Sequence, residues 1–417
     1  MSNITVSPSS LCGNITVPPS KSDVHRAIIC AALSKGVTAI SPVAFSQDIL
    51  ATLDCIAALG ANYSISGNTV TVNSEKIFSN PTAHLDCRES GSTVRFFIPI
   101  AAAGGVSAVF TGKGRLPERP LGVYSDLLPR HGVECKTPGG LPFEISGKLT
   151  SGQFNVPGDI SSQFITGLLF SLPLLHGDSL IHLTSPLQSK GYIDMTISVM
   201  SHFGVEVTEN NGDYYVKGNQ KYTPCTYTTE GDWSQAAFFL AAGALGGSVT
   251  VNGVRSNSLQ GDKEIAELLC QFGAKITIAD NYTKCEYDTL CGIEIDASQI
   301  PDIVPILAVC GAFAQGTTRI YNAKRVRLKE SDRLDAMYKA LSACGADIEQ
   351  TEDELIIHGG VLHTGTVDGC NDHRIVMSMA IAGLCANGNI TISDKESISK
   401  SYNNFFDDYI SLGGIAK

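Results

Sequence analysis

Two kinds of apolar stretch alternate along the chain. The first kind is apolar on every side, as in VRFFIPIAAAGG, ITGLLFSLPLLHG, AAFFLAAGALGG and IVMSMAIAGLCANG. A helix with no polar face must be buried all round. The second kind is amphipathic, as in KEIAELLCQFGA and RLDAMYKALSACGA, with apolar residues at the helical spacing. Alternating segments with a turn between their halves follow, among them NYSISGNTVTV, GVEVTENNGDYYVKG and ADIEQTEDELIIHG. These predict strand–turn–strand units. The amphipathic stretches end at Gly60, Gly132, Gly204, Gly273, Gly345 and Gly413, a period of 68 to 72 residues. A second set, Gly36, Gly105, Gly177, Gly247, Gly316 and Gly388, leads the first by 24 to 29 residues. Both sets read as helix C-caps, where glycine takes the left-handed conformation cheaply. One unit of two helices plus strands is therefore used six times. The fold predicted is α/β, with buried helices inside and sheets outside.

The chain ends refine this picture. The sixth repeat stops at Gly413–Lys417 with no strand pair to follow, while the first is preceded by an extra pair, NITV and GNITV. The N-terminal pair is expected to fill the place missing at the C-terminus. One lobe would then comprise residues 1–19 and 229–417 (repeats four to six), and residues 20–228 (repeats one to three) would form an inserted lobe. A cleft between two lobes joined by two crossings is the expected active site.

The starts of the six apolar helices carry a second pattern: SKSDVHR, SGSTVR, SSQF, GDWSQ, PDIV and NDHR. Five have Ser, Asp or Asn where an N-cap belongs, and three add an arginine one turn in. Helix N-termini present free N–H groups and a positive dipole end, so converging starts would favour phosphate and carboxylate.

Composition narrows the function classes. The 417 residues are 43% hydrophobic and 17% charged, with net charge −11 and pI near 5.3. That balance argues against nucleic acid or an anionic membrane as partner, and makes local clusters of Lys and Arg stand out. No signal peptide or membrane span is visible. Thirteen scattered cysteines without a CxxC pair and nine histidines without ligand spacing predict a reduced, cytoplasmic, metal-independent protein.

The candidate chemistry is cationic. Lys21, Ser22 and Arg26 follow Pro18-Pro19 at a helix start and suit a phosphate ester; GxxxxGK[ST] is absent, so this is no P-loop. VRLKESDRL supplies Lys329, Glu330 and Arg333, the last two of which can also pair locally at i, i+3. Asp302 reads as a helix cap. Arg119, Arg374 and Lys400 complete a set of cations far apart in sequence.

PPSKSDVHR, ESGSTVR, ERPLG, SSQF, SKGYID, EGDWSQAAFFLAAG, IPDIVP, RLKESDRL, NDHR and SKSY, in that order, resemble the 5-enolpyruvylshikimate-3-phosphate synthases, over essentially the whole chain. The resemblance implies two lobes, each an inside-out α/β barrel of three repeats. It implies transfer of the enolpyruvyl group of phosphoenolpyruvate to the 5-hydroxyl of shikimate 3-phosphate, by addition–elimination, without cofactor or obligatory metal; a cytoplasmic monomer is expected. By motif match, Ser22, Arg26, Ser161, Ser162, Gln163, Ser189, Tyr192 and Lys329 would hold shikimate 3-phosphate. Arg119, Arg333, Arg374, Lys400 and the Gly91 backbone would hold phosphoenolpyruvate, with Gln163 reaching both ligands. Lys21 would lie between the substrates, Asp302 would approach the attacking hydroxyl, and Glu330 would transfer a proton to the methylene carbon.

Two positions depart from the family pattern. Glu89 stands where an amide is frequent, and is expected to turn away from bound phosphate or to pair with Arg88; Arg325 stands where Asn is frequent. Two other readings compete. A UDP-N-acetylglucosamine enolpyruvyl transferase would carry a reactive cysteine in the loop that here reads GKGRLPERP, which has none. A non-catalytic anion-binding protein would not need Lys21, Asp302 and Glu330 together.

Overall fold

The computed structural model describes residues 2–417. The chain divides into two compact units, one of Met1–Ser20 with Glu230–Lys417 and one of Lys21–Thr229. Each has its own apolar core. Among the described residues the strands form six sheets of four, three in each unit.

The third repeat shows the unit in its simplest form. Strand Gln153–Val156 leads into the buried helix Ser162–Ser171 and returns as strand Ser179–Leu183, parallel to the first. The amphipathic helix Lys190–His202 and the hairpin of Val207–Asn210 with Asp213–Val216 follow. The second hairpin strand pairs antiparallel with Ser179–Leu183, so the sheet order is first, second, fourth, third. The other repeats copy this order. Their first helices are buried as their composition requires: Trp233 to Leu245 and Val304 to Ala312 are each buried without a break.

The leading strands are exchanged at the two crossings. Cys12–Thr16 precedes helix Lys21–Leu33 in sequence, yet pairs with Ser248–Asn252 of the fourth repeat. Thr226–Thr228 precedes helix Trp233–Gly246, yet pairs with Val37–Ser41 of the first. The N-terminal pair is thus split between two sheets instead of filling one gap. Its first strand, Ile4–Ser7, lies between Asn387–Ile392 and a short strand, Ile415–Ala416. The sixth repeat therefore does have a further strand. Two residues are too few for alternation to reveal it.

The two sets of glycines also differ. All six at the ends of the second helices are left-handed, with φ between 81° and 117°. In the other set Gly36, Gly177 and Gly247 are not. Gly247 has φ −128°, and a side chain there would strike the Leu11 carbonyl, so close backbone approach is what requires glycine. Among the described residues no helix is long and apolar enough to cross a membrane, and no group of three or more His, Cys, Asp or Glu is placed to hold a metal ion.

Candidate active site

In the Lys21–Thr229 unit the starts of three buried helices come together. Lys21 opens helix Lys21–Leu33 and its Nζ donates to Asp48 Oδ2 at 2.8 Å. One turn on, Arg26 is 3% exposed. It donates from Nε to Thr196 Oγ1 (2.8 Å), from Nη1 to the Ser22 carbonyl (2.8 Å) and from Nη2 to the Tyr192 carbonyl (3.0 Å). Its guanidinium lies 5.6 Å from the ring centroids of both Phe96 and Tyr192. Every one of these partners is formally neutral. Burial therefore pulls the Arg26 pKa down to about 10, and the Tyr192 ring and more distant Asp23 only partly offset it.

The second group lies at the next two helix starts. Gln163 accepts from Arg95 Nη1 at 2.7 Å and donates to Ser92 Oγ at 2.9 Å, tying the Ser162–Ser171 helix to the start of Gly91–Gly104. Arg95 also donates to the Pro120 carbonyl at 3.3 Å, beside Arg119. The Arg119 guanidinium rests directly on Gly91: a Cβ there would lie 2.5–2.8 Å from its Nη1, Cζ and Nη2. Ser161 caps its helix, accepting from Gln163 N at 3.3 Å, and Ser162 is buried in the first turn. Ser189 adopts a left-handed φ of 57° at the start of Lys190–His202. Glu89 does not pair with Arg88, whose guanidinium is taken by Gln47 and Asp54 at 2.7 Å each. The Glu89 carboxylate packs over Gly114 instead.

The other unit is organised by carboxylates. Arg333, 1% exposed at the start of helix Arg333–Ala343, binds three of them. It donates from Nε to Asp372 Oδ2 (2.8 Å), from Nη1 to Asp302 Oδ1 (2.9 Å) and from Nη2 to Glu330 Oε2 (2.6 Å). Burial alone would lower its pKa, but Asp372, Glu330 and Asp302 outweigh burial and hold it above the ordinary arginine value. Asp302 Oδ1 also accepts from Lys329 Nζ at 3.2 Å, and its backbone carbonyl accepts from Arg374 Nη1 at 2.8 Å. Burial lowers the Lys329 pKa to about 8 even though Asp302 opposes it. Lys400 Nζ donates to the Asn371 carbonyl at 2.6 Å.

Asp302 is not the cap it resembles. The N-cap position belongs to Ile303, which makes no side-chain capping bond, and the Asp302 carboxylate serves the cations. The pairing of Glu330 with Arg333 exists, as one of three. Arg327 is a clasp, its Nη1 donating to both Asp332 carboxylate oxygens at 2.9 Å, and Arg325 donates to the Ser298 carbonyl at 2.6 Å.

Sequence reasoning missed several partners. Asp372 is fully buried; it caps helix His373–Cys385, receives Ser331 Oγ at 2.9 Å and anchors Arg333. Asp48, Arg95 and Thr196 position Lys21, Gln163 and Arg26. Asp262, buried against Ser234 Oγ, is pushed up to about 7, first by burial and then by nearby Asp302. Arg95 had a visible signal, an arginine inside an apolar helix; Asp48 and Thr196 had none.

Each unit thus gathers cations able to neutralise an anion, and the second also sets carboxylates beside its cations. The family model for EPSP synthase (3-phosphoshikimate 1-carboxyvinyltransferase) matches residues 6–409. The chain belongs to the EPSP synthase family. It is 46% identical over 429 residues to the 3-phosphoshikimate 1-carboxyvinyltransferase of Clostridium novyi, covering 100% of this chain and 98% of that protein. To the Clostridium acetobutylicum protein of the same name it is 45% identical, covering 99% and 98%. The solved EPSP synthase of Acinetobacter baumannii superposes with a TM-score of 0.83 at 26% identity, with 100% of both chains covered. The α/β fold of six repeats is thus that of the EPSP synthases.

Proposed function

We propose that the chain transfers the enolpyruvyl group of phosphoenolpyruvate to the 5-hydroxyl of shikimate 3-phosphate, releasing phosphate, and that both units supply residues to the reaction. The reading is supported above all by one observation. Asp302 and Glu330, the carboxylates assigned to proton transfer, share a single buried arginine, and Lys329 and Arg374 bond to Asp302 as well.

In the addition step the 5-hydroxyl oxygen bonds to C2 of phosphoenolpyruvate while the methylene carbon gains a proton. In the elimination step the C2–O bond to phosphate breaks and the methyl carbon returns a proton. Asp302 takes the hydroxyl proton and Glu330 serves the carbon, a division of roles typically worth 10²–10⁴-fold in rate. Lys21, between the substrates, donates to the departing phosphate. Ser22, Arg26, Ser161, Ser162, Gln163, Ser189, Tyr192 and Lys329 hold shikimate 3-phosphate. Gly91, Arg119, Gln163, Arg333, Arg374 and Lys400 hold phosphoenolpyruvate. For Arg333 this means sharing a guanidinium that three carboxylates already occupy, so its first contribution is to place them. The same reading makes the protein a monomeric, cytoplasmic enzyme of chorismate biosynthesis.

The test is phosphate release. It is expected when shikimate 3-phosphate and phosphoenolpyruvate are mixed, and from neither alone. Release with UDP-N-acetylglucosamine as acceptor would favour the sister transferase, and binding of both anions without release would favour a non-catalytic protein.

A further inference from the structure

A line of four buried side chains runs behind the site in the Lys21–Thr229 unit. His25, Thr52, Thr93 and Ser90 are each 0–1% exposed and come from three successive helices and the cap of the third. His25 Nδ1 lies 2.7 Å from Thr52 Oγ1, which lies 2.9 Å from Thr93 Oγ1. Thr93 Oγ1 donates to Ser90 Oγ at 2.7 Å. That last bond sets the direction of the rest, because a hydroxyl has one proton. Thr93 has given its proton to Ser90, so it accepts from Thr52; Thr52 in turn accepts from His25, which must carry its proton on Nδ1. The other ring nitrogen, Nε2, is buried with no hydrogen-bond partner; with the proton on Nδ1 it leaves a bare lone pair there instead of an unpartnered N–H. Burial, with Lys21 and Arg26 nearby, holds His25 well below the ordinary histidine pKa, so the ring is neutral.

At its far end the chain meets the site. Ser90 Oγ accepts from both Thr93 Oγ1 and Thr93 N (3.2 Å), filling its two lone pairs. Its own proton has no acceptor among the described residues. The line therefore ends in a donor, one residue before Gly91 and the Arg119 guanidinium that rests on it. An anion at that turn is what such a donor suits.

We propose that His25, Thr52 and Thr93 form a polarised hydrogen-bond chain that fixes the Ser90–Gly91 turn, making Thr52 a positioning residue for phosphoenolpyruvate. The proposal rests on the reading that phosphoenolpyruvate is held at Gly91. Thr52→Val keeps the shape and breaks the chain. It is expected to raise KM for phosphoenolpyruvate about 3–10-fold, with kcat and KM for shikimate 3-phosphate near wild type, and Thr52→Ser should restore the wild-type value. The ¹⁵N spectrum of His25 should show the Nδ1–H tautomer in the wild type and lose it in Thr52→Val. Should Thr52→Val fail to fold, Thr93→Val interrupts the line one bond later and keeps the backbone cap. Gly91→Ala, which must displace Arg119, separates the chain from the site it serves. A raised KM for phosphoenolpyruvate in Gly91→Ala but not in Thr52→Val overturns the chain and leaves the Gly91 reading intact; an unchanged KM in both overturns both. An equal decline of all constants in Thr52→Val, unrestored by Thr52→Ser, marks a merely structural residue and also overturns the proposal.

Discussion

Arg26 and Arg333 are both buried arginines near a helix start, one in each unit, yet their surroundings are opposite. Arg26 is held by a hydroxyl, two carbonyls and two aromatic faces. Arg333 is held by three carboxylates. A buried cation without a counter-ion is costly, and the cost is recovered when an anion arrives. A buried cation with three carboxylates is already satisfied, and its work is to fix where they point. A count of cations therefore says little about a site. On the proposed reading Arg26 is a binding cation, whereas Arg333, besides its share in holding phosphoenolpyruvate, arranges carboxylates.

The largest expected effect is on stability. Arg333→Met leaves Asp302, Glu330 and Asp372 without their shared partner, and removing one member of a buried ionic group typically costs about 3–5 kcal/mol. Chemical denaturation should register that loss together with loss of turnover. Arg26→Met deletes a buried charge that had no counter-ion, so its unfolding free energy should fall much less. Equal losses in the two variants would erase the contrast between the arginines.

Next in size is a pH effect at Lys329. With its pKa near 8, Lys329 in the unliganded protein loses its charge as pH rises through that value. KM for shikimate 3-phosphate should therefore climb between about pH 7 and 9, and Lys329→Gln should flatten that climb. A profile equally steep in the variant would assign the titration elsewhere.

The smallest effect concerns Asp262. The unfolded chain ionises this carboxyl in the ordinary range, whereas the fold keeps its proton up to about 7. Its stabilising contribution is complete below the ordinary carboxylate pKa and is lost as pH rises toward 7. The melting temperature of Asp262→Asn, relative to wild type, should accordingly increase from about pH 5 to about pH 8. A constant difference would mean that Asp262 is ionised throughout.

The repeat was legible because helices apolar on all sides, alternating at a fixed period with amphipathic helices closed by left-handed glycine, arise readily only from one unit copied along the chain. The exchange of Cys12–Thr16 and Thr226–Thr228 was not. Strands of three to five residues carry little periodicity, and their partners lie more than 180 residues away in sequence. The cations stood out for a similar reason to the helices, being polar groups at the mouths of apolar segments in an acidic chain. Their partners did not. Asp302 read as a cap, and only the tertiary approach of Lys329 and Arg333 gives its carboxylate another task. Nothing in the sequence marks Thr52 and Thr93, since a line of hydroxyls exists only once three helices are packed.

Glu330→Gln and Arg26→Met, compared side by side for shikimate 3-phosphate affinity and for turnover, test the division between arranging and binding most directly. Glu330→Gln is expected to keep near-normal affinity while kcat falls by about 10²-fold or more. Arg26→Met should weaken shikimate 3-phosphate binding by about 10–10²-fold. Near-normal turnover in Glu330→Gln, or undiminished affinity in Arg26→Met, would contradict that division.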